Sequence, residues 1–271
     1  MCRLTAYVGP EIPLENIIVR PNHSLLIQSH DANEAKLNVN GDGFGIAWYG
    51  YLPEPGLYKD VLPAWSDANL PHICRLVRSR LFLAHVRAST IGGISRENCH
   101  PFVNGRWSFM HNGGIDNFEF MRRGVENLID EDIYRSRLGN TDSELFFLLM
   151  LTNGLDKDPQ SATERTISQF MCLAKLCPAS CLPVHLTCVF SDGERIFGFR
   201  YASDGECPSL YMSESLDHGG YAFASEPLEG SSGRWHQVKP GMMVELSADR
   251  VRMTKLAVHA LEGSALMQRA G

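Results

Sequence analysis

Cys2 follows directly on Met1, so removal of Met1 would leave a thiol and a free α-amine on one residue. Such a residue can serve as nucleophile and base together. An α-amino group titrates near ~7.7 to 8, so at neutral pH a useful fraction is unprotonated and can take the thiol proton directly or through one water. No histidine is then obligatory. The plain alternative is a small residue that happens to start a strand. In His85-Val86-Arg87-Ala88-Ser89-Thr90 an apolar strand ends on an arginine and two hydroxyls. A planar guanidinium at a strand end can grip a carboxylate through two parallel hydrogen bonds, and a surface salt bridge is the competing reading. In Met110-His111-Asn112-Gly113-Gly114 the glycine pair calls for a sharp turn, because glycine has no steric bar to positive φ. The Asn112 amide beside the Gly113 N–H also offers two donors that can converge on one oxygen, as a tetrahedral acyl intermediate requires. Thr141-Asp142-Ser143-Glu144 fits a capping box, and a first-turn Asp142 is free to accept a hydrogen bond from a cationic group.

Other segments invite chemistry less directly. Cys99 in Asn98-Cys99-His100-Pro101-Phe102 is a second candidate nucleophile beside a histidine, but neighbours in an extended chain face opposite sides, so Cys99 is expected to be structural. Asn40-Gly41-Asp42-Gly43-Phe44-Gly45 has the glycines of a phosphate cradle, yet they lead into a strand rather than open a helix. They are expected to let another backbone, or a ligand near Cys2, approach closely. Cys172, Cys177, Cys181, His185 and Cys188 cluster without a paired C-x-x-C knuckle, so no metal is expected there.

These residues have to be held by a sizeable scaffold. The 271 residues are 44% hydrophobic and 21% charged, which suits one large domain, here 2–260, with 261–271 as a frayed tail. A net charge of -6 and the lack of basic blocks argue against nucleic acid. No apolar run approaches the ~18 residues needed to span a bilayer, and no secretory signal opens the chain. Eight cysteines without regular spacing suit reduced thiols, so a cytoplasmic location is expected. Strands are expected over 3–8, 43–49, 81–87 and 106–111, with hairpins about Asp192-Gly193 and Ala248-Asp249. Helices are expected over 118–129, capped by Asp116, from Thr141 to a stop at Gly154, and over 160–177. Segment 51–71, rich in proline, reads as loop.

Together, Met1-Cys2-Arg3, segment 40–49, the Arg87 segment, His100-Pro101-Phe102, His111-Asn112-Gly113 and Thr141-Asp142-Ser143-Glu144 resemble the class II glutamine amidotransferases, which are N-terminal-nucleophile hydrolases. Within that family the chain is similar to the stand-alone branch, which includes the amidotransferase subunit of the fungal glutathione-degrading complex and the γ-glutamyl hydrolase of ergothioneine synthesis, and Arg20-Pro21-Asn22-His23-Ser24 and segment 109–118 strengthen the first comparison. The resemblance is strong over 2–150 and continues in outline through Ala224-Ser225-Glu226-Pro227-Leu228. It implies an α+β fold, a four-layer α/β/β/α sandwich, and no cofactor. It makes Cys2 the nucleophile with its own amine as base, and Asn112 with Gly113 the oxyanion hole. Arg87 would hold the α-carboxylate of a γ-glutamyl group and Asp142 its α-ammonium, with Thr90 also binding substrate. The implied reaction cleaves a γ-glutamyl amide through a Cys2 thioester. Where synthase-type members follow the arginine with an aromatic residue and a Thr-His pair, this chain has Ala88-Ser89-Thr90-Ile91, which favours hydrolysis or ammonia passed to a separate acceptor or peptidase subunit. The alternative is a binding subunit that needs a partner to act.

Overall fold

Strand β1 (Arg3–Pro13) is buried on both faces over its first residues, because it runs through the middle of a sheet covered on both sides. The computed structural model describes residues 2–34, 39–88, 93–115, 117–176, 183–228 and 234–259. Thr90, Asp116, Cys177, Cys181 and the tail 261–271 lie outside them. β1 is flanked antiparallel by β4 (Arg78–Val86) and β10 (Tyr221–Ala224). Beyond β4 come β2 (Phe44–Trp48) and β3 (Gly56–Asp60), and beyond β10 come β9 (Tyr211–Ser213) and β11 (Trp235–Gln237). A second antiparallel sheet runs β13 (Val251–Lys255), β12 (Met242–Leu246), β8 (Ile196–Ala202), β7 (Val184–Ser191), β6 (Trp107–Ile115), β5 (Phe102–Asn104). Both expected hairpins are present, as β7–β8 and β12–β13.

Because side chains alternate along a strand, each sheet offers two apolar faces. Leu4, Ala6, Val8, Leu81 and Leu83 of the first sheet meet Met110, Val189, Ile196 and Val244 of the second in an apolar central layer. The opposite face of the first sheet, including Tyr7, Phe44, Ile46 and Phe82, packs under α1 (Glu15–Ile18), α2 (Leu25–Gln28) and α3 (Leu70–Leu76). The outer face of the second, including Phe109, Leu186, Phe190 and Phe199, packs under α4 (Glu119–Glu126), α5 (Glu131–Tyr134), α6 (Asp142–Thr152) and α7 (Pro159–Leu176). The architecture is the expected four-layer α/β/β/α sandwich. Among the described residues no helix is long and apolar enough to cross a membrane.

Several expectations need correction, among them the sharp turn at Gly113-Gly114, since β6 continues through both glycines to Ile115 and stays paired with β7. Segment 51–71 is not a plain loop, since it holds β3 and the start of α3. The first helical layer is built from α1, α2 and α3, which are four, four and seven residues long, too short for a helical period to show in the sequence. The helix expected over 118–129 is the shorter α4. At α6 only half of a capping box forms. Thr141 Oγ1 accepts from the Glu144 N–H at 3.1 Å, but the Glu144 carboxylate turns to the Leu138 and Gly139 N–H groups, both at 2.8 Å. Glu144 thereby fixes the loop leading into the helix rather than the cap residue itself.

Candidate active site

The end of the central layer where β1 begins is polar. Arg3 pairs with Val86 and Leu4 with His85, so the antiparallel register continues to set Cys2 against Arg87. The Ala88 N–H donates to Cys2 Sγ at 3.3 Å, and the thiol donates to the Ala88 carbonyl at 3.4 Å. Burial pushes the Cys2 thiol above its ordinary pKa, against the Ala88 N–H and the nearby charges of the chain N-terminus, Arg87 and Arg3. A resting thiol of this kind needs a base at its side before it can attack.

Arg87 is almost fully enclosed, at 3% exposure. Its N–H donates to the Gly43 carbonyl, its carbonyl accepts from the Asp42 N–H, and Nη1 donates to the Gly93 carbonyl at 3.3 Å. Gly45 lies opposite His85 on β2, and a Cβ there would collide with the His100 carbonyl. The glycines of segment 40–49 thus admit a second backbone, as expected from their position in a strand. That approach brings the His100 ring against His85, with centroids 4.3 Å apart and the planes tilted by 35°.

His85 in turn sets the Asn112 amide. Burial pushes the His85 pKa down to about 3, so the ring is neutral and carries one N–H. With Asn112 Oδ1 at 3.1 Å from Nε2, that hydrogen belongs on Nε2. The amide nitrogen of Asn112 then faces the other way and donates to Ser225 Oγ at 2.9 Å. Ser225 Oγ also accepts from the Leu4 N–H at 2.9 Å, tying the start of β1 to β6. Gly113 follows at φ +130, where a Cβ would collide with the His185 carbonyl, so only glycine fits.

Asp142 approaches from the outer side of the second sheet. It is more engaged than a free first-turn carboxylate: Oδ2 accepts from the Ile115 N–H at 3.1 Å, and Oδ1 from the Ser143 N–H at 2.8 Å and Ser143 Oγ at 3.2 Å. A carboxylate has about four acceptor positions, so capacity remains. Ser143 Oγ also lies 2.9 Å from His111 Nδ1, while His111 Nε2 donates to the His185 carbonyl at 3.1 Å. Burial pushes the His111 pKa down, with Asp142 opposing. Cys99 is buried, with Sγ 3.5 Å from the carbonyls of both Asp60 and Ser95, and burial pushes its thiol up, which suits a structural residue. Cys172 and Cys188 are buried, and His185 pairs with Asp204 at 3.0 Å.

A family model described as "Glutamine amidotransferases class-II" matches residues 16–208. The chain belongs to the class II glutamine amidotransferases. It is 33% identical to the probable glutamine amidotransferase DUG3 of Saccharomyces cerevisiae over 93% of this chain and 83% of that protein. It is 28% identical to the γ-glutamyl-hercynylcysteine sulfoxide hydrolase of Mycolicibacterium smegmatis over 94% of this chain and 100% of that protein. Among solved structures, a glutamine aminotransferase class-II domain protein from Silicibacter pomeroyi superposes with a TM-score of 0.74 at 37% identity, covering 94% of this chain and 100% of its own.

For an amidotransferase of this family the sequence reading missed the supports behind the candidate residues. His85 was seen only as part of the Arg87 strand, and Ser225 and Glu226 only as an outline match. The available signal was polarity out of place, since Arg3, Ser225 and Glu226 sit where strands otherwise bury apolar side chains.

Proposed function

We propose that this amidotransferase cleaves a γ-glutamyl amide through a thioester at Cys2. The α-amine of Cys2 takes the thiol proton as Sγ attacks the γ-carbonyl carbon. The oxyanion that forms accepts hydrogen bonds from Asn112 Nδ2 and the Gly113 N–H. The amine product leaves with the proton from the α-ammonium, and water then attacks the thioester to release glutamate. Arg87, with Thr90, binds the α-carboxylate end and Asp142 the α-ammonium. The observation that carries this reading is the meeting of Cys2, Arg87 and the His85-oriented Asn112 at one end of the inter-sheet layer. The raised thiol pKa calls for a base, and the Cys2 α-amine is a far stronger one than His85, whose pKa burial pushes down to about 3.

The named activity of the mycobacterial relative supports hydrolysis of a γ-glutamyl compound, with glutamine and glutathione as further candidates. The same reading takes 2–260 as one amidotransferase unit and places it in the cytoplasm, in keeping with the free cysteines of the described residues. An acceptor or peptidase subunit would take the product after cleavage. The test is glutamate release by purified chain across a panel of γ-glutamyl amides. Release that is lost in Cys2→Ala supports the reading, and no release from any member of the panel refutes it.

A further inference from the structure

Arg3 is fully enclosed, and its planar fork is divided between two partners. Nε donates to the carbonyl of Cys2 at 2.7 Å, and Nη1 donates to Glu226 Oε1 at 2.9 Å. Glu226 is itself held from every side. Oε1 also accepts from the Glu34 N–H at 2.9 Å, and Oε2 accepts from His23 Nε2 at 2.6 Å and the Asn33 N–H at 3.0 Å. Four donors fill its acceptor positions. Burial would raise the Glu226 pKa, but His23, the two N–H groups and Arg3 outweigh it and hold the carboxylate below its usual range. The neighbouring Ser225 binds the Leu4 N–H and Asn112. Ser225-Glu226 therefore grips the start of β1 at two points, the Leu4 N–H and the Arg3 guanidinium, and ties it through Ser225 Oγ to Asn112.

A buried ion pair is no cheaper than well-packed apolar residues, so stability alone does not call for one here. Its geometry does something an apolar pair cannot. The Cys2 carbonyl carbon is bonded to the Cα that carries both the amine and the thiol arm. Holding that carbonyl fixes the Cys2–Arg3 peptide plane, and with it the position of the Cα from which both groups spring.

We infer that Arg3, anchored by Glu226, is a positioning residue that fixes the Cys2 main chain so that thiol and α-amine face Asn112. The inference rests on the reading of Cys2 as nucleophile. Lysine cannot replace Arg3, because a single nitrogen cannot occupy the places of both Nε and Nη1.

The test compares Arg3→Lys with wild type on L-glutamine and glutathione, using material whose intact mass begins at Cys2. Misplacing a reacting group by a fraction of an ångström to an ångström lowers turnover, so kcat should fall by about 10- to 100-fold. KM should stay within about threefold, and iodoacetamide should alkylate Cys2 more slowly. A folded Arg3→Lys with wild-type kcat, or a change confined to KM, overturns the inference. If Arg3→Lys does not fold, Glu226→Gln decides: it keeps an oxygen toward Arg3 but loses the charge, and an unchanged kcat overturns the inference equally. Cys2→Ser, measured alongside, separates the two levels. Full activity in Cys2→Ser refutes the nucleophile, whereas an inactive Cys2→Ser beside an unimpaired Arg3→Lys refutes only the role of Arg3.

Discussion

Along β4 the residues that face the second sheet are Leu81, Leu83, His85 and, just beyond it, Arg87. Along β6 they are Met110 and then Asn112, and along β1, read toward its start, Ala6, Leu4 and then Cys2. The inner part of this layer is apolar and needs no hydrogen-bond partners. The outer part is polar on every strand, and its groups hold one another: Cys2 with Ala88, His85 with Asn112, Asn112 with Ser225. The alternation of the strands does not change between the two parts, so the apolar layer fixes the register that the polar residues inherit. Buried polar groups also raise the cost of error there, since His85 Nδ1 and both ring nitrogens of His100 lack a hydrogen-bond partner among the described residues.

The sharpest way to break this comparison is at Cys2. Cys2→Ala should abolish glutamate release with the fold intact, and Cys99→Ser should leave release near wild type, because Cys99 serves packing between Asp60 and Ser95. Steady-state assays on the two purified variants check this, and the reverse outcome would move the nucleophile to Cys99. The next effect in size belongs to Asn112. Asn112→Ala removes a donor needed mainly in the transition state, so kcat should fall by about 100-fold or more. Arg87→Lys keeps the charge but loses the two-pronged grip, so it should act mainly on KM. Initial-rate kinetics separate these, and an unaffected kcat in Asn112→Ala removes the oxyanion-hole assignment.

The polar end was more legible in the sequence than the scaffold that presents it. Cys2, Arg87, Asn112 and Asp142 stand out because a thiol, a guanidinium, an amide and a carboxylate occur beside strand ends and a helix start. α1 and α2 were invisible because four residues cannot show a period, and β3 was hidden by the prolines around it. The role of His85 could not be read either. In sequence it is a polar residue within an apolar strand, and only the packing of β4 against β6 shows that its N–H turns the Asn112 amide. Asp142 is more engaged than a place in a first turn implies, since the Ile115 N–H that donates to Oδ2 comes from a strand 27 residues away.

A milder change sharpens the comparison from the apolar side. Leu83 is fully buried two residues before His85. Leu83→Ala should cost about 2 to 5 kcal/mol of stability, through lost burial and the cavity left behind. Its KM at a temperature where it stays folded should match wild type, because Leu83 touches packing alone. Chemical denaturation and kinetics on the same preparation check both halves.

The smallest effect distinguishes these two neighbours by pH. The His85 pKa falls from 6.5 to about 3 on burial, whereas in the unfolded chain it returns to its ordinary value. Above pH ~6.5 neither state binds the proton, and the neutral ring costs nothing. As pH falls from there toward the folded value, the unfolded chain takes up a proton that the native state refuses. Stability should then drop by about 1.4 kcal/mol per pH unit for each such histidine, and His100 and His111, also pushed down by burial, act in the same direction. His85→Gln keeps an N–H for Asn112 but cannot titrate, so its stability should decline less steeply than wild type between neutral and mildly acidic pH. Leu83→Ala should instead run parallel to wild type, displaced by a constant amount. Denaturant midpoints measured across that range test the contrast, and a His85→Gln slope equal to wild type would assign the acid sensitivity to other groups, among them the Glu226 carboxylate that Arg3 and His23 hold ionised.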